Sequence, residues 1–238
     1  MRPYIIINGI SSKNIDGLLI QSLPPITKPK IRTSIEEIDG RDGDVVTTLG
    51  YAAYDKPLTI GLAGDYNVDD VIKYFNSSGQ VTFSNELDKY YKFSIYDTID
   101  FNKLIRFKTA NINLHVQPFK YSEDETTETY TYTSGTTSAS ISIRNNGNIY
   151  SKPTLTITGS GTISISLGST QILSVVLSAG ETIIINTEAM NAYGTDGSYL
   201  NRLVTGDYDN LVLNVGLNTL NISGNITEVK IDNYSRWI

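Results

Sequence analysis

The chain has 238 residues, with 39% hydrophobic and 18% charged side chains, which is long enough and apolar enough for one large β domain or two smaller ones. It has no cysteine and only one histidine, so disulfide scaffolds and zinc-thiolate sites are excluded. Its net charge of -6 is shared evenly between the halves, which argues against sequence-specific or phosphate-driven DNA binding, although a neutral or acidic wall suits a channel that lets a duplex slide.

Residues 1–12 read as a first strand. The apolar run there stops at Asn8-Gly9, too short for a signal core, and no stretch reaches the roughly 20 apolar residues of a membrane span, so no membrane insertion is expected. Residues 15–20 form a second strand, and Leu23-Pro24-Pro25 then sets up an extended approach. Two β-prone runs, 31–38 and 44–49, flank Asp39, Gly40, Arg41, Asp42 and Gly43, the mark of a hairpin. The glycines supply positive φ angles for the reversal, and Asp39, Asp42 and Asp44 keep the tip solvated. A projecting hairpin of this kind, Asp39 to Asp44 at its tip, is a common means for one subunit to reach another.

A further strand over 56–62 leads to a turn at 63–65 and to the one helix the pattern supports. Its start carries Asp69 and Asp70, and Val71, Ile72 and Phe75 recur at helical spacing. Alternation returns at 80–83, 90–96 and 104–117, where Ile112, Leu114 and Val116 share a face. Residues 120–127 are acidic and polar, which places a boundary between an N-terminal domain, 1–122, and a C-terminal one, 123–238. Beyond it lie nine short alternating segments: 130–132, 141–143, 155–157, 163–167, 172–177, 183–185, 211–215, 220–222 and 229–231. Their Ser/Thr and Ile/Leu alternation predicts an antiparallel sandwich or jelly roll with one wet face. Residues 187–200 are expected to form a surface loop whose Tyr193 and Tyr199 contact a partner.

No constellation points to catalysis, cofactor or metal. His115 lies between Leu114 and Val116 and faces away from them, toward solvent, with no triad around it. Asp39, Asp42 and Asp44 lack the spacing and the closing glutamate of a calcium loop. Glu36 and Glu37 point to opposite strand faces, and Glu123, Asp124 and Glu125 sit in the boundary, so neither group flanks a glycosidic bond. The 16 tyrosines are read as core and interface. Exposed on a sandwich, they would instead make a carbohydrate-binding, lectin-like module for adhesion to a host surface, which is the alternative reading.

The basic lead-in, IDGRDGDVV, the aromatic pair Tyr51 and Tyr54 and the strand after it resemble the N-terminal domain of the distal tail (Dit) proteins of long-tailed bacteriophages. The stretch NNGNIYSKPTLTITG at 145–159, then Gly206-Asp207-Tyr208, Gly216-Leu217-Asn218 and Ile222-Ser223-Gly224, follow in the family's order. The resemblance implies a tail-tube-like split β-barrel with one helix, followed by a galectin-like antiparallel β-sandwich. It also implies a non-enzymatic virion protein, made in the host cytoplasm, whose N-terminal domain forms a hexameric ring, single or stacked. The implied partners are the tail tube protein, the tail-associated tip protein and receptor-binding or baseplate proteins.

Overall fold

The computed structural model describes every residue except Met1 and Asn233, and every side chain except those of Ser134 and Gly135. Met1, part of the predicted first strand, therefore lies outside the described residues. The chain forms two compact units, the first ending at Glu123 and the second spanning Asp124–Trp237.

In the first unit, β1 (Ile5–Ile7), β2 (Ile10–Ser11), β3 (Leu18–Ser22), β4 (Ile31–Glu37), β5 (Asp44–Tyr51) and β6 (Tyr54–Leu62) precede helix α1 (Val68–Phe75). Then come β7 (Gly79–Phe83), β8 (Glu86–Ser94), α2 (Phe101–Phe107) and β9 (Thr109–Ser122). Seven of these strands make one antiparallel sheet, β2-β1-β7-β8-β9-β6-β3, curled into a half-barrel. Its inner face is set by period-two alternation: Leu58, Ile60 and Leu62 of β6 lie beside Ile112 and Leu114 of β9, with Val81 and Phe83 of β7 further along. Helix α1 packs Val71, Tyr74 and Phe75 into this core; Asn67 caps it through an Asp69 N–H bond of 3.0 Å, and Asp69 and Asp70 occupy its first turn.

Two expectations need correction here. Residues 104–107 belong to α2 and not to a strand. Asp100 accepts from the Lys103 amide at 2.9 Å to start the helix, Leu104 alone is buried, and Lys108 ends it in the left-handed region at φ 57°. The alternation of Ile112, Leu114 and Val116 does not extend back to this segment, where Lys103, Arg106 and Phe107 repeat at helical spacing. The second strand starts only at Leu18, because residues 12–14 form a 3-10 turn whose buried Ser12 hydroxyl accepts from the Ile5 amide at 3.2 Å.

The second unit contains β10 (Glu128–Asn145), β11 (Thr154–Leu167), β12 (Thr170–Asn186), β13 (Asn191–Tyr193), β14 (Val204–Gly206) and β15 (Gly216–Asp232). They form a single antiparallel sheet, β10-β15-β11-β12-β13, with β14 on β12. Eight of the nine expected short strands thus merge pairwise into four long ones, and residues 211–215 hold only a bridge between Leu213 and Ser151. A straight strand of 17 residues would extend about 56 Å. Yet Leu155 and Ile163 of β11, Val175 and Ile183 of β12, and Ile222 and Val229 of β15 all join one core, so the sheet folds over on itself as a sandwich. The crease follows register breaks, such as that between Ser160 and Ser164 of β11 against β15. Gly224 sits there at φ 133°, and a Cβ on it would lie 2.6 Å from the Thr162 carbonyl oxygen. The glycine between two alternating runs that sequence reads as a turn is therefore the fold line of one continuous strand.

Candidate interaction site

Among the described residues strands β4 and β5 pair only with each other, from Ile31 opposite Tyr51 to Glu37 opposite Asp44. Gly40 and Gly43 turn the tip at φ 81° and 78°, and the Arg41 amide bonds the Ile38 carbonyl at 3.1 Å. No residue of either strand is buried; Ile35 is 60% exposed and Val46, its cross-strand neighbour, 58%. A lone two-stranded ribbon is marginal in water, so this one depends on its root for order.

The root is well held. Tyr51 meets Phe119 edge to face at 5.3 Å, and the Ala52 amide bonds the Lys30 carbonyl at 2.8 Å. The approach at Pro25 to Thr27 is clamped to the half-barrel by the Tyr54 hydroxyl, 3.3 Å from the Thr27 carbonyl, and by Lys56 Nζ, 2.9 Å from the Pro25 carbonyl. Lys56 is 2% exposed and its ammonium lies 4.7 Å from the Tyr91 ring, 5.4 Å from Tyr54 and 5.7 Å from Phe83. Burial lowers its pKa to about 8, partly offset by the Glu86 carboxylate and reinforced by the like charge of Lys120. Lys120 pairs with Glu86 at 2.6 Å inside the same region. The Tyr91 hydroxyl is buried beside Tyr54 and Glu86, and burial drives its pKa upward, with the Glu86 charge adding to the rise. Sequence reading did not single out Lys56; the signal was its phase, in step with Leu58, Ile60 and Leu62 on the inward face.

The other sequence candidates lie apart. Asp39, Asp42 and Asp44 are exposed at the tip, and among the described residues no three His, Cys, Asp or Glu side chains gather at metal-binding spacing. Glu36 lies opposite Val45 and Glu37 opposite Asp44, on the two faces of the ribbon. His115 is half-buried, with Nδ1 2.7 Å from Asp55 Oδ1 and its ring 5.4 Å from that of Tyr96. Glu123 accepts from the Thr82 hydroxyl, while Glu125, whose carboxyl pKa burial raises, accepts from the Ser235 amide at 3.2 Å.

Residues 187–200 are more ordered than a loop, since β13 pairs with β12 and Tyr193 bridges Tyr199 across a tight turn. The two rings stand 5.3 Å apart and tilted by 47°, with Tyr199 70% exposed.

No protein-family model matches this sequence, and no curated protein matches it. Among solved structures, the Dit protein of phage SPP1, described as a paradigm of the hub adsorption apparatus in phages infecting Gram-positive hosts, shares the fold over 100% of both chains, at 18% identity and a TM-score of 0.63. A structure of the phage p2 baseplate in its activated conformation with Sr aligns over 97% of each chain, at 13% identity and a TM-score of 0.49.

Proposed function

We propose that this chain is a distal tail protein, a structural and non-enzymatic hub in the tail tip of a long-tailed phage. The observation that carries the reading is the end-to-end likeness of fold to the SPP1 Dit protein, half-barrel and sandwich together, with neither chain left uncovered. The first unit forms a hexameric ring, single or stacked, around a channel for DNA. One side continues the tail tube, the other seats the tail-associated tip protein, and the second unit stands at the periphery, where receptor-binding or baseplate proteins attach. The exposed ribbon supports this reading, because a marginal hairpin held only at its root needs a protein surface to cover it. A net charge of -6 suits a wall that does not retain passing DNA.

The test is direct. Light scattering of the purified chain should give six copies or twelve, and electron microscopy should show six-fold rings with a central hole. A monodisperse monomer at all concentrations would overturn the reading. Sugar binding by the second unit is the rival, and the exposed Tyr199 is the feature that favours it. The tilted packing of Tyr193 against Tyr199 leaves no flat double platform for a sugar, so a protein contact suits this pair better.

A further inference from the structure

Two exposed patches of the first unit carry complementary chemistry. On the ribbon, the Ile35 and Val46 pair adjoins the Glu37 and Asp44 pair on the same face. Like charges directly opposite each other weaken a β ribbon, and among the described residues neither carboxylate has an ion-pair partner. On α2, Lys103, Arg106 and Phe107 follow at i, i+3 and i+4 and so share a face, to one side of the buried Leu104. All three are exposed, Phe107 at 59%, with the Arg106 guanidinium 5.2 Å from its ring. Neither cation is ion-paired among the described residues.

Among the described residues no ion pair joins the two patches within one copy. The ribbon leaves the half-barrel at the Tyr54 end of β6, where β5 stops at Tyr51. Helix α2 lies at the other end, where the Lys108 carbonyl accepts from the Leu62 amide at 3.3 Å. The nine residues of β6 separate the ribbon's root from that end by about 27 Å.

We infer that the ribbon face of Ile35, Val46, Glu37 and Asp44 in one copy docks on the Lys103, Arg106 and Phe107 face of α2 in the next. Two carboxylates meet two cations, and an aliphatic pair covers an exposed aromatic ring. A second copy is the occupant because every copy carries both halves of the match, two carboxylates beside an aliphatic pair and two cations beside an aromatic ring. A contact between two different patches is head-to-tail and propagates until it closes. The inference rests on the ring reading above and names the surface that receives the hairpin.

The test uses the full chain and charge reversal. Glu37→Lys with Asp44→Lys leaves both patches basic; Lys103→Glu with Arg106→Glu leaves both acidic. Each double variant alone should associate at least about a hundredfold more weakly than the natural chain, because like charges are forced together. An equimolar mixture should recover the natural mass in alternating order, since each variant now complements the other. Intact rings from either variant alone overturn the docking while leaving the ring reading in place, as does a mixture that stays dissociated although both variants melt normally. Should the lysine variant misfold, Glu37→Gln with Asp44→Asn replaces it and should flatten the salt dependence of assembly; an unchanged salt dependence overturns the docking. A natural chain that never associates overturns both.

Discussion

The two units solve the same problem, a curved antiparallel sheet with one buried face, in different ways. The second buries an almost wholly aliphatic core, Ile141, Leu155, Ile163, Val175, Ile183 and Ile231 among them, drawn from β10 and from both arms of β11, β12 and β15. The first mixes aromatics into its core, recruits two helices, and buries Lys56 and Lys120 among Tyr91, Phe83 and Tyr54. Its departures from the simple pattern cluster where the hairpin leaves the barrel. A buried ammonium is costly unless bonded, and here it clamps the approach segment by its carbonyl.

The sharpest way to test this comparison is to separate the units. A fragment of residues 1–123 should still assemble into rings and one of residues 124–237 should stay monomeric, as read by light scattering. The reverse result would make the sandwich the ring builder. Next in size, Phe75→Ala should cost the first unit about 3–5 kcal/mol, the range for truncating a buried aromatic, while leaving the melting of the second unchanged. Lys73→Ala, on the exposed side of the same helix, should be silent, and equal losses in the two variants would break the assignment.

Lys56 supplies a pH signature that the second unit lacks. Its folded pKa of about 8 lies below the ordinary 10.5, so between those values the unfolded chain holds more protons and stability rises with pH. Above pH 10 the half-buried Tyr54 and the buried Tyr74 and Tyr91, whose pKa values burial raises, pull stability down again. Denaturant melts of Lys56→Met should lose the rise between pH 8 and 10; a slope that persists would assign it to another group. In the second unit, Gly224→Ala should cost about 1–3 kcal/mol through its positive φ and the Thr162 carbonyl, whereas Tyr199→Ser should change stability by less than about 0.5 kcal/mol. A glycan array that binds the natural chain and loses that binding with Tyr199→Ser would restore the lectin reading.

Period and punctuation determined much of this protein from sequence alone. The hairpin at Asp39 to Asp44, the helix at Val71 and Phe75, the inward set Ile112, Leu114 and Val116, and the mostly-β class follow from alternation, capping carboxylates and glycines able to take positive φ. These are local properties, set within a few residues of chain. What only the tertiary structure decided is non-local. Whether a glycine turns the chain back or merely creases a strand depends on register with neighbours, so β11, β12 and β15 each looked like two strands. Whether Lys56 points to water or into an aromatic box depends on which face of β6 the half-barrel closes over, and that is settled by strands and by a proline-rich segment far from it in sequence.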